Sequence, residues 1–407
     1  MANITQRNSS YLIRVSAGLD SSGKQRMKSM TWKPEQAYTP KQLEKELNKV
    51  AAAFEEKVKN GLESDNPKLT LAQFAPQYLA IKKDTLSPVT YEKYRRTLER
   101  LILPQLGHLK LNAIKPIHIQ NFIKDLSQTE CVYTMRNGVQ RKSNKTPSAS
   151  TVKRYLAIIQ SIFAQAVKLD LIQTNPAKAE KLTIPKAAKA KIEIFTKQET
   201  AQMLECLENE PLQYQVLIHL AIMTGARRGE LAALKFSDID INSQKITIER
   251  AAIKIPSQPI QIKPPKDFEV RAVTIPQYLI DMIQELKAEK LHEAQKLGDM
   301  WIEGDWIFTQ CNGEIMNPMT PTKWFSKFLK RYGLPHRKFH SLRHTSATLL
   351  LYGGASIKQV QGRLGHGDIE TTNKYLHYIA EADSESANIL QNMLITHKQT
   401  EKQAKQA

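Results

Sequence analysis

Cysteine is scarce in this chain of 407 residues, and its three cysteines, Cys131, Cys206 and Cys311, lie far apart in no metal or redox spacing. That excludes a disulfide framework and fits a reducing compartment. Long apolar runs are missing too: no stretch reaches the roughly 18 residues that a membrane-spanning helix needs. The start, MANITQRNSSYLIRV, lacks the basic, apolar and small-residue succession of a signal peptide. The expectation is a cytoplasmic protein with no membrane partner. No repeat or low-complexity tract stands out before the polar tail at 397–407. Acid is also in short supply, since 59 Lys and Arg face 40 Asp and Glu and leave a net charge of +19. An imbalance of that size points to a polyanionic partner, and without a membrane segment nucleic acid is the expected one.

The excess is local. Residues 1–65 carry a net +3, residues 66–190 a net +14 and residues 191–407 a net +2. Charge that served only solubility would be spread more evenly, so the middle segment reads as the main phosphate-contacting module. The chain then divides into residues 1–65, 66–180 and 190–407, joined by a polar stretch at 63–67 and an exposed basic linker at 177–191. In the first segment Tyr11, Ile13 and Val15 alternate with Leu12, Arg14 and Ser16, as in a half-buried strand. Asp20-Ser-Ser-Gly23 is a turn signal, and residues 24–32 read as a second strand. A helix opens at Thr39-Pro40-Lys41-Gln42, with Thr39 as cap and Gln42 at the capping-box position, and runs to Gly61.

In the second segment Ser87-Pro88 opens a helix in which Tyr91, Tyr94, Leu98 and Leu101 recur at helical spacing. Another is capped by Ser150 and runs through Leu169. Residues 128–148, with Asn137-Gly138, read as a loop or short hairpin. The third segment mixes helices with a short sheet of three strands at 245–249, 259–263 and 270–275. The fold class is mixed α+β, mostly α.

Four short motifs of the third segment belong together. Thr224-Gly-Ala-Arg227-Arg-Gly-Glu-Leu231 follows an apolar run, VLIHLAIM. Lys263-Pro-Pro-Lys266-Asp-Phe-Glu-Val-Arg271 is a basic turn between two strands. His340-Ser-Leu-Arg343-His344 comes next. Leu364-Gly-His366 is followed nine residues later by Tyr375 in Thr371-Thr-Asn-Lys-Tyr375-Leu-His377. His340 and His344 are spaced to share a metal on one helix face. Ser341, however, stands where a metalloprotease would carry its Glu, and no nearby ligand completes a site, so no metal and no cofactor is expected.

The set resembles the active-site signature of the tyrosine recombinase, or phage integrase, family. That signature is an Arg in a T-G-x-R-x-x-E-L box, a hairpin Lys, an H-x-x-R box, a G-H box and a Tyr about nine residues on. Residues 70–175 resemble the family's helical core-binding domain. Residues 1–61 resemble the arm-binding domain of integrases from conjugative transposons and temperate phages.

The resemblance implies a site-specific recombinase that cleaves and rejoins DNA through a 3′-phosphotyrosine and integrates or excises a mobile element. A chromosome-dimer resolvase of the same family is the alternative, and a type IB topoisomerase a more distant one. The implied partners are double-stranded DNA at core and arm attachment sites, three further copies of the chain in a tetramer, and a DNA-bending or excision factor. The implied catalytic residues are Arg227, Lys266, His340, Arg343, His366 and Tyr375.

The chemistry asks for these residue types. In-line attack on a phosphodiester builds negative charge on the non-bridging oxygens, which two guanidiniums can hold in forked geometry. Arg227 and Arg343 suit that role, His340 would take or orient the tyrosine proton, and Lys266 would protonate the leaving 5′-oxygen. His366 would donate to the phosphate or support Tyr375. Lys263 competes with Lys266, and Tyr352 and Tyr378 with Tyr375. Arg228 reads as a surface or DNA contact, Glu230 as a residue that holds the fold, and His344 as structural. The hairpin departs most from the family pattern, because Pro264-Pro265 and Asp267-Phe268-Glu269 replace a small polar turn. Residues 384–397 carry an apolar stripe suited to docking on a neighbouring subunit.

Overall fold

In a computed structural model, residues 2–19, 25–34, 36, 38–59, 69–130, 132–134, 140–186, 193–265 and 270–365 are described. Lys266, His366, Tyr375, the turn signals at 20–23 and 137–138 and the stripe at 384–397 lie outside them. The chain forms two compact units, Met1–Lys189 and Ala190–Ala407. Among the described residues no helix is long and apolar enough to cross a membrane.

The first unit holds two separate cores. Strands β1 (Asn3–Arg7), β2 (Ser10–Leu19) and β3 (Gln25–Trp32) form an antiparallel sheet in that order. Period-2 alternation puts Ile13 and Val15 on one face, where they pack on Ala51, Phe54 and Val58 of α1 (Pro40–Lys59). The Gln42 side chain reaches back to accept from the Thr39 amide at 3.1 Å and so fixes the start of α1.

The second core is helical and is built from α2 (Leu71–Lys83), α3 (Pro88–Thr97), α4 (Leu103–Leu106), α5 (Pro116–Gln128) and α6 (Ala149–Lys168). Thr70 and Gln73 close a capping box at the head of α2. The wholly buried Tyr78 donates to Ser161 Oγ at 2.7 Å, and burial pushes its phenol up to about 12. A π-helical turn, Leu98–Ile102, joins α3 to α4. Its extra residue rotates the following face, so Ile102 is buried whereas Leu101, the expected core position, stays partly exposed. Helix α6 is capped by Ser148 rather than Ser150: the Ser148 hydroxyl accepts from the Thr151 amide at 3.3 Å, two residues earlier than expected. Between α5 and α6, β4 (Val132–Thr134) pairs with β5 (Gln140–Lys142) as a short hairpin.

The second unit is organised around α8 (Leu212–Thr224), which follows α7 (Lys197–Leu207). Helix α8 is apolar on nearly every face, as a helix enclosed by others must be, and Val216, Leu217, Ile218, Leu220 and Ala221 are buried. Then come α9 (Arg228–Leu231), β6 (Ile239–Asp240), β7 (Lys245–Ile248), β8 (Ala251–Lys254), β9 (Ile260–Lys263), β10 (Arg271–Thr274) and α10 (Gln277–Leu297). Helices α11 (Thr320–Arg331), α12 (Ser341–Tyr352) and α13 (Ile357–Leu364) complete the described part.

The three expected strands do not make one sheet. Strand β7 pairs antiparallel with β10 and β6, whereas β9 pairs with β8, a strand that the alternation did not reveal. Residues 251–254 read AAIK with a buried pattern at their start, so they lack the period-2 signal of a half-exposed strand. The separate β8–β9 hairpin stands beside α9, where a Cβ on Gly229 would lie 2.8 Å from the Ala252 carbonyl oxygen. Only glycine permits that approach.

Candidate active site

Helix α8 ends at Gly225, whose φ of +60° turns the chain left-handed. The hydroxyl of Thr224 accepts from the Ala226 amide at 3.1 Å, and the turn delivers Arg227 to the N-cap of α9. A Cβ at Gly225 would sit 2.1 Å from Leu364 Cδ2. Gly225→Ala therefore combines a disfavoured φ with overpacking and is expected to cost on the order of 2–4 kcal/mol. Denaturant titration checks this, and a loss below about 0.5 kcal/mol would contradict it.

Arg227 is held from three sides. Its amide donates to Glu230 Oε2 at 3.0 Å, its Nη1 to Glu230 Oε1 at 2.9 Å and its Nη2 to the Gly365 carbonyl at 3.3 Å. Glu230 is 1 % exposed. Burial alone would raise its carboxyl, but the charge and hydrogen bond of Arg271 and the two bonds from Arg227 outweigh burial, so the net shift is downward and the group is ionised. Arg271 Nη2 donates to Glu230 Oε2 at 2.6 Å, and its Nε donates to the Arg363 carbonyl at 3.2 Å. The Arg363 guanidinium in turn donates to the carbonyls of Met223 at 2.7 Å and Thr274 at 3.0 Å, tying α13 to α8 and β10.

Arg343, on α12, is buried and donates through Nη1 to the Gly225 carbonyl at 2.6 Å. His340 stands at the N-terminal boundary of the same helix, without a side-chain capping bond. Burial lowers its pKa first, and the charges of Arg343, Arg227 and Arg228 lower it further against the opposing Glu230. It is neutral near pH 7 and able to accept a proton. His344 meets His340 edge-on, with ring centroids 4.7 Å apart. Burial, then His340 and Arg343, hold His344 down at about 4. Among the described residues no group of three His, Cys, Asp or Glu side chains is placed to hold a metal.

A cavity of about 470 Å³ opens beside these groups, lined by Arg227, Arg228, Gly229, Thr322, Lys338, Phe339 and His340. Arg228 donates to Thr322 Oγ1 at 2.9 Å across its wall. Of the six predicted catalytic residues, Arg227, His340 and Arg343 are thus brought together from two motifs 113 residues apart (227 to 340). Lys266, His366 and Tyr375 belong to the undescribed part. Lys263 is described, as the last residue of β9 opposite Ala251. Sequence reasoning gave no role to Arg271, which ends the basic-turn motif, and did not single out Arg363 or Lys338. A signal for Arg271 did exist, a charged residue opening a strand otherwise made of Ala, Val and Thr.

The phage integrase family model matches residues 193–381, and the model of the family's N-terminal SAM-like domain matches residues 70–127. The chain belongs to the phage integrase family. It is a tyrosine-type site-specific recombinase. The recombinase is 29% identical over 404 residues to a XerC-like tyrosine recombinase of Caldanaerobacter subterraneus, covering 95% of this chain and 96% of the relative. It is 23% identical to the ICEBs1 integrase of Bacillus subtilis, over 78% of this chain and 81% of that one. Among solved structures, the integrase of transposon Tn1549 in complex with transposon right end DNA shares the fold. It has a TM-score of 0.62 and 17% identity, over 78% of this chain and 99% of that one.

Proposed function

We propose that the recombinase is an integrase that cuts and rejoins double-stranded DNA through a 3′-phosphotyrosine on Tyr375, integrating and excising a mobile element. The observation that carries this reading is the convergence of Arg227 and a neutral His340 on one cavity, with the buried Arg343 close enough behind His340 for its charge to lower that pKa. The arginines hold the non-bridging oxygens, where transition-state charge gathers and where fixed cations contribute most. His340 takes or orients the tyrosine proton. Lys266 protonates the leaving 5′-oxygen, and His366 supports the phosphate or the nucleophile. The phosphotyrosine conserves the energy of the broken bond, so the 5′-hydroxyl of another strand can displace the tyrosine without ATP. Capturing the covalent adduct on random DNA and sequencing the attached ends tests the reading. Reproducible junctions support it, and adducts without sequence preference would favour a topoisomerase.

The basic unit spanning 66–180 grips the core site and the sheet-and-helix unit at 1–65 the arm sites, with four subunits and a bending or excision factor completing the assembly. Deleting residues 1–61 is then expected to spare cleavage of an isolated core site while reducing assembly on full attachment sites by at least about tenfold, roughly 1.4 kcal/mol. Gel shifts and strand-transfer assays measure both. If assembly is unaffected by the deletion, the arm assignment is wrong, and the chromosome-dimer resolvase suggested by the XerC-like relative becomes the better reading.

A further inference from the structure

Glu230 poses a problem for the proposed chemistry. A buried, ionised carboxylate beside Arg227 sets its orientation but also cancels its charge, and an arginine neutralised by its own neighbour is a poor ligand for a phosphorane. The two contacts of Arg271 bear on both effects. Arg271 Nη2 lies 2.6 Å from Glu230 Oε2, the oxygen that also accepts the Arg227 amide. The guanidinium of Arg227 is left to hold the carboxylate through Oε1. Without Arg271, Oε2 would keep only the Arg227 amide and its second lone pair would be open to the Arg227 side chain, which would favour a closed bidentate pair.

With Arg271 present, the cluster of two guanidiniums and one carboxylate keeps a net single positive charge. Arg271 also packs under Gly365, where a Cβ would come within 3.0 Å of its Cδ and Nη1. Gly365 is the residue whose carbonyl accepts from Arg227 Nη2. Arg271 therefore touches both Glu230 and Gly365, two groups that orient Arg227. It is 8 % exposed and donates its Nε to the Arg363 carbonyl, so it stays behind the site and out of reach of DNA.

We propose that Arg271 is a positioning residue for strand cleavage, which acts through Glu230 and Gly365 to keep the Arg227 guanidinium in place and its charge uncancelled at the scissile phosphate. The proposal rests on the reading of Arg227 as a phosphate ligand. It makes Arg271, the first residue of β10, part of the electrostatics of cleavage rather than a link between two elements. Supporting residues that orient a direct ligand commonly change activity by about 10–100-fold, and residues that act as one unit are strongly non-additive.

The test compares single-turnover adduct formation on a normal nicked substrate and on one with a methylphosphonate at the scissile position, whose phosphorus centre is uncharged. Arg227→Ala, Arg271→Met, Arg271→Lys and the Arg227→Ala/Arg271→Met double variant are measured in the full chain. Expected are a loss of about 10–100-fold for Arg271→Met on normal DNA, partial recovery in Arg271→Lys, and a loss of under about threefold on the methylphosphonate. The double variant should be no slower than Arg227→Ala alone. A merely structural role would lower the rate equally on both substrates. If Arg227→Ala is relieved by the methylphosphonate but Arg271→Met is not, or if the two defects multiply, the proposal is overturned while the reading of Arg227 stands. If Arg227→Ala is not relieved, that reading falls and the proposal with it. Should Arg271→Met fail to fold, the same ratio between substrates is read from Arg271→Lys, which keeps the charge but loses the fork to Glu230 and the Arg363 carbonyl.

Discussion

Tyr375→Phe is expected to fold, to bind its DNA and to form no covalent adduct at all on a nicked suicide substrate. The argument is chemical. Attack on a phosphodiester needs an oxygen nucleophile that the site can deprotonate, and phenylalanine offers none. An unperturbed tyrosine titrates near pH 10, so the proton must leave during attack, to a base held within reach. In the proposed mechanism His340 takes that proton, and burial, then Arg343, Arg227 and Arg228, keep it neutral and ready to accept.

Loss of one hydroxyl removes little packing, so binding and stability serve as internal controls. Denaturing gels of the protein–DNA product read the outcome directly. Undiminished adduct from Tyr375→Phe would sink the assignment and turn attention to the two other tyrosines of the region. Tyr352 is the last residue of α12, one helix away from the segment that follows Gly365. Tyr378 lies three residues beyond Tyr375.

Much of this site is legible in the sequence, and the reason is physical. Arg227, His340 and Arg343 carry side chains suited to chemistry that few other residue types can perform, so they stand out in short motifs. Gly225 is legible for a similar reason, because a left-handed helix end admits little else. The groups that hold those residues leave a weaker trace. Two of the contacts that orient the arginines are backbone carbonyls, of Gly225 and Gly365, and a carbonyl carries no residue-type signal.

The Glu230–Arg271 pair joins residues 41 positions apart on different elements, so nothing in local periodicity announces it. The same limit explains the fold-level differences. Helical spacing located α3 but not the π turn that moves Ile102 into the core, because a one-residue insertion changes no composition. Alternation found β7, β9 and β10 but not β8, whose small, buried Ala251 and Ala252 lie against Gly229 of α9 and the alanines that follow it. The core-site role proposed for residues 66–180 follows from where charge accumulates, which sequence shows well, since long-range electrostatics depends on totals more than on contacts; the arm-site role proposed for residues 1–65 follows from the family resemblance.

Lys266→Ala is expected to slow cleavage of ordinary DNA by about 10²–10⁴-fold, the range in which general acids commonly contribute, and to be largely restored by one sulfur atom. The leaving 5′-oxygen departs as a strongly basic alkoxide unless a proton arrives with it. A 5′-bridging phosphorothiolate replaces that oxygen with sulfur, whose thiolate, with a pKa near about 8–9 by analogy with cysteine, leaves unaided. The defect of a missing acid should therefore vanish on the sulfur substrate, whereas Arg227→Ala and Arg343→Ala should recover much less, because the non-bridging oxygens carry their charge on either substrate. Lys263 is the internal comparison. It closes strand β9 with its backbone opposite Ala251, a position held by the ladder, whereas Lys266 falls between β9 and β10 in the chain. Lys263→Ala is accordingly expected to be near normal on both substrates. If Lys263→Ala shows the defect and the rescue, the acid is Lys263, three residues earlier in the chain. If neither variant is rescued, the proton comes from elsewhere, and His340 and His366 are the next groups to replace under the same pair of substrates.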